Sequence, residues 1–256
     1  MAEPVVVTRP LRQAIEFANR LEAAGRAAVV FPLLQIAPLP DATALRAVLG
    51  RLSEFSLAAF VSPNAIDATF AHIERWPPEV ALAVMGQSSR QALARHGITA
   101  DKFQITSPTD PRRSDSQTLL EALDLQRLQS AKVLILRGET GRELLGDALR
   151  AAGAQVEQVA AYRRSATTST PALMAQLAGL LDTDNCWVIT SSEALQVLMQ
   201  LVAEADPQHG VAKIQQKKLL VPHERIREVA QSIGFSAVEL TDAGDDGLFG
   251  KLQSAP

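Results

Sequence analysis

The chain has 256 residues, which suggests one or two domains at about 150 residues each. Apolar residues make up 47%, charged residues 21%, and the net charge is −3, so there is no general basic field to hold DNA or RNA. A single cysteine, Cys186, excludes an intramolecular disulfide and any multi-cysteine metal site. The opening Met-Ala-Glu-Pro lacks the basic, then apolar, run of a signal peptide, and no apolar stretch reaches 18 residues. A soluble cytoplasmic α/β protein without membrane contact is expected. The first strand candidate is Val5-Val6-Val7. From Leu11, apolar residues recur at 14, 15, 18 and 21, which is helical spacing, and Gly25 follows as a residue able to take a positive φ. Ala27 to Phe31 is the next strand. Further strands are expected near 57–61, 81–85, 103–105, 132–136, 155–160, 186–190, 218–221 and 236–240, with helices between most of them. Such alternation argues parallel sheets covered on both faces.

The chain also repeats itself. Val5-Val6-Val7-Thr8-Arg9 matches Val133-Leu134-Ile135-Leu136-Arg137, and each arginine is followed sixteen residues later by glycine, Gly25 and Gly153. Phe60-Val61-Ser62 matches Ile189-Thr190-Ser191, and the stretch from Val84-Met85-Gly86 to Gly97 matches that from Val221-Pro222-His223 to Gly234. The offsets are 128, 129 and 137. Three matches in one order point to tandem duplication of a four-unit α/β module. Two segments do not fit a βα unit. Phe31 to Pro38 is extended and holds two prolines, and Val159 to Arg164 takes the same place in the second repeat. Both are candidate crossings between domains.

Ligands of open α/β sheets bind at the carboxyl ends of the strands. Those ends carry Thr8, Arg9, Ser62, Gly86, Ser88, Ser89, Arg137, Gly138, Ser191, Ser192 and His223. Hydroxyls and free helix N–H groups bind anions, and arginine recognises carboxylate or phosphate in bidentate fashion. A polyanion is the ligand these groups suit. Each residue also has a plainer explanation. Ser62, Ser191 and Ser192 are good helix caps. Arg9 and Arg137 can be surface arginines, and His223 can cap its helix or be solvated. His72, His96 and His209 suit helix ends, and Cys186 suits a buried apolar strand. Tyr162, the one tyrosine, stands in a crossing segment beside Arg163 and Arg164. It can offer a proton to a ligand, or it can simply pack there. No phosphate loop, dinucleotide fingerprint, nucleophile elbow or His-Glu-x-x-His motif is present, so neither a nucleotide cofactor nor a metal is indicated.

Taken in order, Val7-Thr8-Arg9-Pro10, Phe31-Pro32-Leu33-Leu34-Gln35-Ile36, Val61-Ser62-Pro63-Asn64-Ala65, Leu136-Arg137-Gly138 with Gly141-Arg142, Tyr162-Arg163-Arg164, Thr190-Ser191-Ser192-Glu193-Ala194, Val221-Pro222-His223-Glu224-Arg225 and Gly244-Asp245-Asp246-Gly247-Leu248 resemble the uroporphyrinogen-III synthase family. The resemblance spans nearly the whole chain. It departs at Gly86-Gln87-Ser88-Ser89, where many members have threonine in place of the last serine, and at Asp115-Ser116-Gln117, where glutamate is common at 117. Residues 108–113 read as a mobile loop. The family implies two flavodoxin-like parallel-sheet domains, 1–36 with 166–256 and 40–162, joined by a two-stranded linker, with the active site in the cleft between them and hinge motion about it.

The resemblance further implies a substrate, hydroxymethylbilane, a linear tetrapyrrole with eight carboxylates. It is closed to uroporphyrinogen III with loss of water and inversion of the last ring, through a spiro intermediate. Tyr162 is then expected to assist departure of the hydroxyl. Arg9, Ser62, Gly86, Ser88, Ser89, Arg137, Gly138, Ser191, Ser192 and His223 are expected to hold substrate. No cofactor and no metal are expected. A monomer is expected, with transient contact to the preceding pathway enzyme and no domain fused beyond the last helix. The alternatives are a non-enzymatic clamshell module that binds an anionic metabolite, and a sugar-phosphate or nucleotide enzyme. The latter needs a phosphate loop or an acid/base pair at a strand end, and the sequence has neither.

Overall fold

A computed structural model describes residues 3–109, 115–141 and 143–254. Most of the expected loop at 108–113 lies outside the described residues, as does Arg142. Eleven strands occur among the described residues: β1 (Val5–Val7), β2 (Ala28–Val30), β3 (Leu34–Ala37), β4 (Leu57–Phe60), β5 (Ala81–Val84), β6 (Ile105–Thr106), β7 (Lys132–Gly138), β8 (Gln155–Ala166), β9 (Cys186–Val188), β10 (Lys218–Val221) and β11 (Val238–Leu240). The central ones are short apolar runs because both faces are covered. Val5, Val6 and Val7 are all fully buried, and β-branched side chains suit that pleated, two-sided burial. Among the described residues no helix is long and apolar enough to cross a membrane.

The chain forms two units. Residues up to Gln35, with those from Ser165 onward, make the first, and Ile36–Arg164 makes the second. The chain therefore passes between units twice, once within β3 and once within β8. The stretch after Phe31 becomes β3, at the edge of the second unit's sheet, with Pro32 and Pro38 just outside it so that neither removes an N–H from the strand.

The first sheet has the order β2-β1-β9-β10-β11 and the second β3-β8-β7-β4-β5-β6. In the first, Val6 of β1 lies between Val29 of β2 and Trp187 of β9, all parallel. In the second, Ala59 of β4 lies between Ala83 of β5 and Ile135 of β7. The repeat matches pair β1 with β7, β2 with β8, β4 with β9, β5 with β10 and β6 with β11. Substituting each strand by its match turns the first order into β8-β7-β4-β5-β6, the second sheet without its β3 edge. The first unit thus has the flavodoxin-like order 2-1-3-4-5, and the second has the same sheet with its chain circularly permuted. Each unit takes strands 1 and 2 of the module from one repeat and strands 3, 4 and 5 from the other. The duplicated module is one of five strands rather than the four units expected. Its edge strands, β6 and β11, were expected near 103–105 and 236–240 and are only two and three residues long.

The matched glycines share one cause. Gly25 and Gly153 have φ of +78° and +90° just past their helices, where a Cβ would be strained. The caps also agree with the sequence. Ser62 and Ser191 accept from the backbone N–H of Ala65 and Ala194, each at 3.1 Å. Each sheet is covered on both faces by an apolar cluster, with Phe31, Trp187 and Leu198 on one side of the first and Phe17, Leu220 and Leu248 on the other. Cys186 is buried in β9, and burial pushes its thiol up to about 12, so it is no nucleophile near neutral pH.

Candidate active site

In the second unit the neighbouring strands β8, β7, β4 and β5 bring Tyr162, Gly138, Ser62 and Gly86 to one end of the sheet. A register irregularity between Arg137 and Gly138 sets Tyr162 opposite Gly138. The glycine makes room for the phenol. A Cβ at 138 would lie 3.1 Å from Tyr162 Cζ and 3.3 Å from its hydroxyl. Tyr162 is 5% exposed, and its hydroxyl shares a hydrogen bond of 3.2 Å with Ser62 Oγ. Ser62 is held in turn by the helix Pro63–Phe70 that it caps. The tyrosine is therefore neither wet nor loose. Its oxygen is fixed by a serine anchored at a strand end, an arrangement that can present one phenolic proton in a defined direction. The adjacent cation is occupied, because Arg163 Nε donates to Glu139 Oε2 at 2.7 Å.

Gly86 stands at the N-cap of the helix Gln87–Arg95 and contributes no side-chain cap. Ser88 is exposed on the first turn, beside N–H groups with no partner within the helix. Ser89 is only 1% exposed and sits on the buried face with Ala92 and Leu93, so the structure does not set its hydroxyl beside that of Ser88. The i, i+3, i+4 spacing of those three residues was a sign of this in the sequence.

In the first unit β1, β9 and β10 are neighbours, and they carry Arg9, Ser191 with Ser192, and His223 at their ends. Thr8 Oγ1 donates to the Val188 carbonyl at 2.6 Å and ties the ends of β1 and β9 together. Ser192 Oγ is buried without a hydrogen-bond partner, which costs free energy unless something else pairs with it. His223 occupies the N-cap position of the helix Glu224–Ser232, but its side chain makes no capping bond. The capping role weighed for His223 is thus corrected. Its ring does not reach the helix N–H groups, and the first turn of that helix carries Glu224 instead.

The two matched arginines are not surface groups. Arg9 lies against the Phe17 ring, 5.2 Å from its centroid, and its Nη1 donates to Asp245 Oδ1 at 2.5 Å. Arg137 Nη1 donates to Glu143 Oε1 at 2.5 Å and to Gln158 Oε1 at 2.8 Å, while Gln158 Nε2 donates to Glu143 Oε2 at 2.7 Å. The Gln158 amide, and after it the Arg137 guanidinium, hold the Glu143 carboxyl below the usual carboxylate range. Reasoning from sequence singled out neither carboxylate for a role. Asp245 stood inside a quoted motif, and Glu143 stood six residues beyond its arginine, but no periodicity marks either as a partner.

Doubly wound units of this kind, with hydroxyls, helix N-termini and guanidinium groups at the strand ends, define a class of open-sheet α/β proteins. A model of one family, described as uroporphyrinogen-III synthase HemD, matches residues 15–249. The uroporphyrinogen-III synthase of Salmonella typhimurium is 32% identical over 257 residues, covering 97% of this chain and 99% of the relative, and that of Escherichia coli is 32% identical over 254 residues with the same coverage. The chain belongs to the uroporphyrinogen-III synthase family. Its fold is similar to the crystal structure of uroporphyrinogen-III synthetase from Helicobacter pylori (TM-score 0.61, 12% identity, 100% of both chains) and to that of a mutant uroporphyrinogen III synthase from Thermus thermophilus (TM-score 0.57, 17% identity, 98% of both).

Proposed function

We propose that this chain closes hydroxymethylbilane to uroporphyrinogen III, with loss of water and inversion of the terminal ring. The observation that carries this is the match to relatives of that name along almost their full length. The chemistry asks little of a protein beyond placement. The electron-rich pyrrole expels the hydroxyl, the C–O bond breaks, and the departing oxygen takes a proton to leave as water. The methylene cation left behind is attacked by the bridge-bearing α-carbon of the last pyrrole, which forms a spiro C–C bond. The bond from that carbon to its original methylene bridge then breaks, the freed methylene bonds to the ring's other α-carbon, and the proton on that carbon is released. Tyr162, with its hydroxyl set by Ser62, is the proton or hydrogen-bond donor to the departing oxygen. Arg9, Ser191, Ser192 and His223 of the first unit and Ser62, Gly86, Ser88, Ser89, Arg137 and Gly138 of the second supply side-chain or backbone donors to the eight carboxylates. Ser89 must turn outward to do so, and the buried Ser192 Oγ must be uncovered. Orientation of a flexible chain by many such contacts removes much of the entropic barrier to the correct closure. On this reading the chain works as a cytoplasmic monomer without a cofactor, and it meets the preceding pathway enzyme only transiently.

Incubation with freshly made hydroxymethylbilane tests the function. Uncatalysed closure gives the uninverted isomer, so an enzyme shifts the product to isomer III, whereas a sensor of anions leaves the ratio unchanged. The Gly138 contact gives a second expectation. Gly138→Val pushes the phenol off its place and lowers kcat by about 10- to 100-fold, the scale of a misplacement near 1 Å. In a Tyr162→Phe background the same change costs much less in kcat, because the group it displaces is already gone. Equal costs in both backgrounds separate Gly138 from the hydroxyl.

A further inference from the structure

Arg9 and Arg137 occupy matching strand ends, and each is gripped at 2.5 Å by a carboxylate that the duplication does not supply. Asp245 lies on the helix Gly244–Ser254, 236 residues from Arg9, whereas Glu143 lies six residues from Arg137 and precedes the helix Leu144–Ala151. The residue 128 positions before Glu143 is Ile15, which cannot pair with a cation. The two halves have reached one arrangement by different routes, which points to a use for the pair itself. The burial is also one-sided. The arginine side chains are 11% and 10% exposed, and the carboxylate side chains 41% and 56%. The inner surroundings of the guanidinium groups are taken. Arg9 packs on Phe17, and Arg137 Nη2 lies so close to Gly141 that a Cβ there would come within 2.7 Å. The outward side is the one the carboxylates cover.

We propose that Asp245 and Glu143 are stand-in carboxylates: each holds the guanidinium face that a substrate carboxylate takes, and each is displaced by it. The inference rests on the function proposed above and adds a selection rule to it. Exchange of one carboxylate for another leaves the charge balance unchanged, so a ligand with a single carboxylate gains almost nothing. A ligand with eight engages an arginine and the remaining donors of the same unit at once, and the later contacts are intramolecular. The stand-ins also spare each arginine from being buried without a counter-charge before substrate arrives.

The test uses the full chain, its Asp245→Asn and Glu143→Gln variants, and uroporphyrin III, a stable octacarboxylic porphyrin, titrated by fluorescence quenching. Each variant binds it about 3- to 5-fold tighter than the unaltered chain, the range expected when a competing, partly exposed ion pair is removed. KM for hydroxymethylbilane falls by a similar factor while kcat changes less than about twofold, since the exchange precedes the chemistry. The two substitutions lie in separate units, so one remains informative if the other unfolds, and Asp245→Ser repeats the first without the amide. Unchanged or weaker binding in the folded variants overturns the proposal, because the carboxylates then only shape the arginines. If the unaltered chain leaves the isomer ratio at its spontaneous value, the proposed function falls and the stand-in role with it. If it makes isomer III while the variants bind no tighter, the stand-in role falls alone.

Discussion

Tyr162→Phe is expected to lower turnover by about 10²- to 10⁴-fold, the usual worth of a positioned general acid, with little change in KM. The substitution removes a single oxygen. The ring keeps its place over Gly138 and among Phe60, Leu136 and Ala161 in the core of the second unit. Ser62 keeps the N–H of Ala65 and so continues to cap its helix. Only the bond between the two hydroxyls is lost, worth about 1 kcal/mol net, so thermal unfolding moves by a few degrees at most. Steady-state rates beside a melting curve decide the matter. Undiminished kcat in a variant of native stability removes the phenol from the reaction. A loss confined to KM makes it a binding group only.

The second large effect falls on stability. Trp187 sits fully buried in the middle of β9, with Val6 on one side and Leu219 on the other. Its ring meets Phe31 edge to face at 5.8 Å, and its Nε1 donates to Asn185 Oδ1 at 2.7 Å. Trp187→Ala loses that apolar contact, leaves a cavity, and orphans a buried amide oxygen. The expected cost is about 3–5 kcal/mol, a third or more of the stability of an ordinary domain. Trp187 and Trp76 are the chain's two tryptophans, and Trp76 belongs to the second unit. In the variant, fluorescence therefore reports that unit alone, while circular dichroism reports both. An early dichroism transition in denaturant, with Trp76 emission steady until later, is the predicted outcome. Coincident transitions at the unaltered midpoint would show that the site tolerates the hole.

Central strands were legible in the sequence because parallel strands buried on both faces read as unbroken apolar runs, as in Val5-Val6-Val7 and Leu57 to Phe60. The repeat was legible where a local constraint recurs: the left-handed glycines 25 and 153, and the capping serines 62 and 191. What lay beyond reach was every choice of partner. No local signal says that β1, on its side away from β2, pairs with β9, whose partner residues lie 181 positions on. The Tyr162–Ser62 bond joins residues 100 apart and depends on a register irregularity that apolar alternation does not encode. The arginines were found by their matched places, but their carboxylates have no matched places. The inward turn of Ser89 could have been predicted from helical phase, and the missing cap at His223 could not.

The exchange of strands between the two repeats governs the order in which a nascent chain can complete itself. The second unit is one continuous segment, 36–164, and has all its residues as soon as that segment leaves the ribosome. The first unit begins the chain, yet β1 lacks its neighbour on one side until Val188 has been made. At about 5–20 residues per second, Val5 to Val30 must wait roughly 10–30 s with an apolar strand edge open. The amino-terminal segment is therefore where slow translation exposes this protein to aggregation, and where a holding chaperone has something to grip.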